Sequence, residues 1–321
     1  MAKAIFKAHN LVRGFTKIPS GSSVNMAIHD GDTISVTADG DFSIRFLGVD
    51  TPEVSFQYPQ IENDPNAGKW LSTLRFKEYL ADPFKAEYID SEDYKTKLGP
   101  GLVEHLQNKL GLQSAENHRD LAMSAQRKLE EIVKTDYDDR VSQGKEFRFF
   151  LAFAYEIMDR YGRFLCYLDR DNTPQEREEL RLTYNERMLQ EGYAAPYIIW
   201  PNTDPFIQQQ SIIDSVPDIN SFQQVIGKSK RLKNARGYVK EARDASKGIF
   251  NSSNPLLLLP FELRYLARRS SPDRYVLDLS LDRPKLKLPI MYHEIQNIED
   301  RLFVPQEYVP LFINRGYEIE S

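Results

Sequence analysis

Thr33-Ile34-Ser35-Val36-Thr37 alternates polar and apolar positions with a period of two, Asp39-Gly40 follows as a two-residue turn signal, and Phe42-Ser43-Ile44-Arg45-Phe46-Leu47-Gly48-Val49 returns. This alternation predicts a β-hairpin. With Asp39 and Gly40 at the turn centre, position 32 pairs with about position 47, and Asp32 and Asp50 fall at the same end of the hairpin. Residues 1 to 28 alternate more loosely through Ile5, Leu11, Phe15, Ile18, Val24 and Met26, which predicts one or two opening strands with a turn at Pro19-Ser20-Gly21-Ser22-Ser23. Residues 54 to 115 offer less pattern: a helix is expected around Ala67 to Leu80 and a turn at Gly99-Pro100-Gly101. From Asn117, read as an N-cap, the period becomes helical. Leu121, Ala122, Ala125, Leu129, Ile132 and Val133 recur on one face, and that spacing predicts an amphipathic helix of about 17 residues. Phe147 to Met158 and Phe164 to Leu168 read as a second hairpin joined by Asp159-Arg160-Tyr161-Gly162, with Arg163 opening its second strand. Asn185 to Glu191 reads as a helix that Gly192 stops. From Asn254, short apolar runs broken by Pro and Gly predict a small, mostly β module over residues 252–321.

Bulk properties narrow the class. A chain of 321 residues is longer than one usual core, and one main domain over 1–251 plus the smaller module over 252–321 is expected. Hydrophobic residues at 41% and charged residues at 28% place it among globular proteins. The net charge of -5 means that a polyanion would have to be met by a local patch. Such a patch is available between Ser221 and Phe250, where Lys228, Lys230, Arg231, Lys233, Arg236, Lys240, Arg243 and Lys247 face only Glu241 and Asp244. A solvated helix face and contact with a polyanion or acidic surface both account for it. Cys166, the only cysteine, excludes an internal disulfide framework and reads as a small buried hydrophobe. Met1 to Lys17 lacks the apolar core of a secretory signal, and Pro255-Leu256-Leu257-Leu258-Leu259-Pro260 is too short to span a bilayer. A cytoplasmic protein without a membrane segment is the expectation.

Chemistry concentrates at the ends of the first hairpin. Asp30-Gly31-Asp32-Thr33 is a tight acidic turn, and Asp50 and Glu53 lie just beyond the returning strand. Oxygen ligands of this kind, completed by a backbone carbonyl and waters, suit calcium or magnesium, and His29 beside them reads as structural. His293-Glu294 begins like a zinc-protease helix, but Asn297 stands where the second histidine would be. Arg45 lies between the acids, and Arg163 sits at the second hairpin. Guanidinium groups there are natural partners for a phosphate gaining charge during in-line attack, so the set points to phosphodiester hydrolysis.

Asp30-Gly31-Asp32-Thr33, Arg45-Phe46-Leu47-Gly48-Val49-Asp50-Thr51-Pro52-Glu53 and Asp159-Arg160-Tyr161-Gly162-Arg163 resemble, in order, the three signature blocks of the staphylococcal nuclease (thermonuclease) family. Asn185 to Ala194 and Ala242 to Phe250 are similar to later helices of that family. The resemblance implies an α+β fold with a mainly β core, an OB-like five-stranded barrel with helices packed on it. It implies that Asp32, Asp50 and the Thr51 carbonyl hold Ca2+, that Glu53 orients or deprotonates the attacking water, and that Arg45 and Arg163 bind the scissile phosphate with Tyr161 beside it. It further implies a calcium-dependent nuclease acting on DNA and/or RNA with little sequence specificity and leaving 3′-phosphate ends; a catalytically silent OB-type binding module is the alternative. Tyr193, Tyr197 and Trp200 are candidates for base stacking, and Lys230, Arg231 and Lys233 for backbone contact. The chain departs from the compact family in residues 54–115, which read as an insertion near the active site, and in 252–321, a possible surface for a protein partner.

Overall fold

The computed structural model of the chain describes residues 13–16, 23–37, 41–86, 88, 90–159, 161–171, 182–207, 209 and 211–320. In chain order the strands are β1 (Arg13–Thr16), β2 (Ile28–Asp30), β3 (Thr33–Thr37), β4 (Asp41–Phe46), β5 (Gly48–Asp50), β6 (Ser55–Gln57), β7 (Trp70–Ser72), β8 (Phe149–Ala152), β9 (Phe164–Arg170), β10 (Ala195–Ile199), β11 (Arg274–Asp278), β12 (Leu286–Lys287), β13 (Arg301–Pro305) and β14 (Ile319–Glu320). The helices are α1 (Val24–Ala27), α2 (Lys77–Ala81), α3 (Ser91–Leu98), α4 (Pro100–Gln107), α5 (Ser114–Ser142), α6 (Tyr184–Gln190), α7 (Phe222–Lys228), α8 (Lys230–Asp244), α9 (Pro260–Arg268) and α10 (Val309–Ile313).

The alternation around Ile34 forms the predicted hairpin because Ile34 and Ile44 pair across it and are both fully buried. Its register is Thr33↔Arg45 through Thr37↔Asp41, one position from the expected pairing. Asp39, Gly40 and the Pro19–Ser23 turn, apart from Ser23, lie outside the described residues, as does most of the first strand region. The hairpin belongs to a six-stranded sheet in the order β1-β8-β9-β4-β3-β2, in which β4 and β9 run parallel. The fold is mixed α+β as expected. No closed OB-like five-stranded barrel is found among the described residues: this sheet has six strands, and β5, which leaves β4 at Gly48 with φ 75°, pairs with β10.

The second sheet therefore has the order β14-β12-β11-β13-β10-β5. Strands from 252–321 extend this sheet beyond β10, which pairs antiparallel with β5, the strand that carries Asp50, and parallel with β13. Residues 54–115 and 252–321 also share a core, in which Phe76, Tyr79, Leu80, Tyr94 and Leu98 pack with Phe261, Leu263, Leu266 and Tyr292. That burial is the main force holding the two segments together.

Several elements differ from expectation for identifiable reasons. The helix expected over Ala67–Leu80 begins late: Trp70–Ser72 is strand, and α2 starts only at Lys77. Gly99-Pro100-Gly101 is the start of α4, with Gly99 at φ 73° and Pro100 in the first turn, where its missing N–H costs nothing. The long helix α5 starts at Ser114, so Asn117 is inside it. Its amide serves tertiary contact instead: Nδ2 donates to Asn254 Oδ1 and the Pro255 carbonyl at 2.8 Å, and Oδ1 accepts from Leu257 N at 3.1 Å. Of the strand read over Phe147–Met158, only Phe149–Ala152 is continuous; an isolated bridge pairs Met158 with Phe164. Helix α9 was not anticipated in the region read as mostly β. Cys166 is buried as read, and its surroundings raise the thiol pKa.

Glu262, at the third position of α9, is the polar centre of the shared core. Its fully buried carboxylate accepts from Lys109 Nζ at 3.0 Å, from Tyr292 OH at 2.8 Å and from Leu259 N at 2.7 Å, and pairs with His105 Nε2 at 3.0 Å. Burial alone would raise this carboxyl; Lys109 and His105 outweigh it and hold the group below its ordinary 4.5. A depressed folded pKa gives stability that is present above pH 4.5 and lost as pH falls further. Glu262→Ala is expected to cost about 3–5 kcal/mol by leaving Lys109 without its buried partner. Glu262→Gln should flatten the acid limb of stability against pH, as measured by urea unfolding at a series of pH values; an unchanged acid limb would contradict the assignment.

Candidate active site

The acidic turn Asp30-Gly31-Asp32 is pressed against α5. A Cβ at Gly31 would lie 2.7 Å from Ala125 Cβ and 3.0 Å from Thr51 Cγ2, so only glycine fits the approach. The turn delivers Asp32 to the end of β3, opposite Arg45 at the end of β4. Asp50 ends β5 and is held from behind by β10 through the Ala195↔Asp50 pair. The site thus stands where the chain passes from the first sheet to the second.

Asp32, Asp50 and Thr51 are buried, while Arg45, at 15% side-chain exposure, reaches them from the surface. Arg45 Nη1 contacts Asp32 Oδ1 at 3.0 Å and its Nη2 donates to Asp50 Oδ1 at 2.8 Å. Asp32 also accepts from Thr51 N at 3.1 Å and Thr33 Oγ1 at 3.2 Å. Burial would raise the Asp32 carboxyl, but Arg45 and these donors hold it below the ordinary range. Asp30 goes the other way: burial and the Asp32 carboxylate push its pKa well up, and its Oδ1 accepts from Asp32 N at 3.1 Å. Asp30 is a structural acid that shapes the turn.

Glu53 is positioned by its main chain. Its N–H donates to His118 Nε2 on α5 at 3.0 Å, and its carbonyl accepts from Thr73 Oγ1 at 2.5 Å. Burial pushes His118 down to about 3, so its Nε2 is a neutral acceptor near neutral pH. His118 and Thr73 both come from parts of the chain that offered no motif. His29, by contrast, pairs with Ser35 Oγ at 2.7 Å and serves its own hairpin.

The largest departure from expectation is Arg264 on α9. Its Nη1 donates to Asp50 Oδ1 at 2.8 Å and Glu53 Oε1 at 2.6 Å, and its Nη2 donates to Asp50 Oδ2 at 2.7 Å. This fork geometry is among the stronger polar pairings available to a carboxylate. Even so, burial leaves the Asp50 pKa above its ordinary value despite Arg264 and Arg45. A sequence signal for α9 existed: Pro260 at the first position, Glu262 at the third, and Phe261, Leu263, Leu266 and Ala267 at helical spacing. Nothing in that pattern indicated which carboxylates Arg264 would meet.

In front of this network lies a cleft of about 690 Å³ between the first sheet and α9–β11. It brings together Arg45, Glu53, Tyr161, Arg163, Tyr197 and Arg264. Arg163 pairs with Asp159 at 2.8 Å and lies 5.7 Å from the centre of the exposed Tyr161 ring. Tyr197 stacks on Phe261 at 5.2 Å, and its hydroxyl accepts from Arg274 at 3.0 Å. Trp200 is buried against Tyr308 and Phe312, and Tyr193 packs on the first core with Lys128 over its ring; neither lines the cleft.

The basic stretch spans α7 and α8, and the arginines of α8 point inward to acids. Arg231 is buried on Glu186, Arg236 pairs with Asp300, and Arg243 pairs with Glu299. Lys230 and Lys233 are exposed and also lie outside the cleft lining.

The donor set around Asp32 is all oxygen, as a hard divalent cation requires, and Thr51 Oγ1 is buried there without a hydrogen-bond partner. The chemistry of the residues fits calcium. Their arrangement engages them elsewhere: Asp50 and Glu53 turn to Arg264, and among the described residues no three or more His, Cys, Asp or Glu side chains converge as a ready metal cage.

Arg231→Ala is expected to cost about 3–5 kcal/mol in chemical denaturation because it strands the buried Glu186, whereas Lys230→Ala and Lys233→Ala should each stay within about 0.5 kcal/mol. Equal effects at the three positions would refute the buried role of Arg231. His118→Ala removes the acceptor for Glu53 N, and a loss of about 1–3 kcal/mol is expected on the same assay.

No family model matches the chain. Among the described residues no helix is long and apolar enough to cross a membrane. The chain is similar to Endonuclease YhcR of Bacillus subtilis (strain 168), with 25% identity over 303 residues; the match takes in 88% of this chain but 17% of that protein, so the chain spans less than a fifth of its relative's length. The likeness is to a protein named as a nuclease, and the thermonuclease resemblance rests on the motif blocks alone.

Proposed function

We propose that the protein is an endonuclease that hydrolyses phosphodiester bonds of DNA and/or RNA with little sequence specificity. The observation that carries this reading is the charge network of Asp32, Arg45, Asp50, Arg264 and Glu53 behind a cleft that also holds Arg163 and Tyr161. The distant endonuclease relative supports the same class of activity.

In this reading Glu53 orients a water and takes its proton as the water oxygen bonds to phosphorus. Fixing the Glu53 main chain through His118 and Thr73 holds that carboxylate at the cleft. Arg45 and Arg163 bind the non-bridging oxygens, whose charge grows in the transition state. The bond from phosphorus to the 5′ oxygen breaks, that oxygen takes up a proton, and 3′-phosphate ends remain. Asp32, Asp50 and the Thr51 carbonyl would hold Ca2+, which would supply further neutralisation of phosphate charge. Tyr161, exposed at the cleft, offers a ring face to a base, whereas Tyr197, expected to stack on bases, lines the cleft with its ring taken up by Phe261 and Arg274.

Cleavage of single-stranded DNA, duplex DNA and RNA with calcium, magnesium or chelator tests the proposal. Calcium-dependent cleavage is expected, with Glu53→Gln and Arg163→Ala each lowering kcat by about 10²–10⁴. Full activity in chelator, or undiminished activity in both variants, would sink this mechanism. Retained binding without cleavage by the unaltered protein would favour the silent binding module.

A further inference from the structure

We propose that Arg264 competes with a divalent cation for Asp50, so that the cation binds only as the guanidinium leaves the Asp50 oxygens and, with them, Glu53. The inference rests on the reading of Asp32 and Asp50 as cation ligands.

Three observations carry it. First, Arg264 uses both Asp50 oxygens and one Glu53 oxygen, at 2.8, 2.7 and 2.6 Å. Asp50 Oδ1 additionally receives Arg45 Nη2 at 2.8 Å, so it already has two charged donors. A calcium ion needs several oxygen lone pairs facing inward, and on Asp50 those lone pairs point at guanidinium nitrogens. Second, Asp50 is fully buried, so its carboxylate has no other face to offer. A guanidinium and a divalent ion on the same buried carboxylate repel each other strongly in surroundings of low dielectric. Third, the helix that carries the competing group is anchored by other residues. Helix α9 is anchored by buried Leu263 and Leu266 and by the Glu262 contact to Leu259 N, while Arg264 itself lines the cleft with Arg268 one turn on. A side-chain rotation from Asp50 into that space would suffice, and it would place the freed charge where a phosphate is proposed to lie.

Arg264 is therefore a positioning residue in the resting protein: it holds the Asp50 and Glu53 carboxylates in place by occupying the charge they were built to receive. Arg45 differs. It reaches Asp32 and Asp50 from the neighbouring strand, whereas Arg264 joins Asp50 to Glu53.

The test is calcium titration by isothermal calorimetry on the full chain, comparing the unaltered protein with Arg264→Gln and Arg264→Lys. Competition predicts that Arg264→Gln binds Ca2+ at least about tenfold more tightly and that Arg264→Lys, which keeps the charge but loses the fork, falls between. Thermal unfolding gives a second readout: Arg264→Gln should lose stability in chelator and recover with Ca2+, with a larger rise in Tm than the unaltered protein. Calcium affinity within twofold of the unaltered protein, weaker binding, or no heat in either protein would overturn the proposal. So would a fall in kcat for Arg264→Gln at unchanged calcium affinity, which would make Arg264 a phosphate ligand only. Because calorimetry needs no substrate, absent cleavage in every variant would refute the nuclease reading while leaving the competition result to stand or fall by itself.

Discussion

Burying a carboxylate without a charge partner costs several kcal/mol, and two carboxylates, Asp32 and Asp50, are buried at the centre of this protein with Glu53 close by. The fold answers that cost with two guanidiniums delivered from different directions. Arg45 comes from the adjacent strand of the hairpin, and Arg264 comes from a helix more than two hundred residues along the chain. Much of the architecture follows from bringing the second one in. Strand β13 pairs with β10, β10 pairs with β5, and α9 packs over the result with its arginine pointing at the end of β5.

The same arrangement explains why residues 54–115 and 252–321 belong together physically. Aromatic and aliphatic side chains from both fill one core, and Glu262 collects Lys109 and His105 from one segment and Tyr292 from the other. That core supports α9 on one side, while the long helix α5 supports the acidic turn and places His118 under Glu53 on the other. Residues 252–321 also pack Leu277, Leu286, Leu302, Val304 and Phe312 on Ile198, Trp200 and Phe222, and their clearest contribution to chemistry is the wall of the cleft and Arg264.

Charge on the surface of a sequence is a poor guide to where charge acts. The basic stretch from Lys228 to Lys247 has the composition of a polyanion-binding helix, yet its three arginines at 231, 236 and 243 are taken up by Glu186, Asp300 and Glu299. The cleft draws its positive groups instead from single arginines scattered along the chain, at 45, 163, 264, 268 and 274. Stacking candidates divided in the same way, with Tyr197 at the cleft and Trp200 sealed into a core.

The sequence by itself determined what depends on neighbours in the chain. Alternation through Ile34 and Ile44 made the hairpin, the spacing from Leu121 to Val133 made the buried face of α5, and Asp-Gly-Asp followed by Arg45, Asp50 and Glu53 put an acid–arginine set at one end of it. Only the tertiary structure decided what crosses between distant segments. Periodicity reports which face of an element is apolar, not which partner covers it, so β5 pairing with β10, Asn117 bonding to Asn254 and α9 carrying Arg264 onto Asp50 were all beyond its reach. A buried charge is chosen by geometry at the moment of packing, and the residue that neutralises it can stand anywhere along the chain.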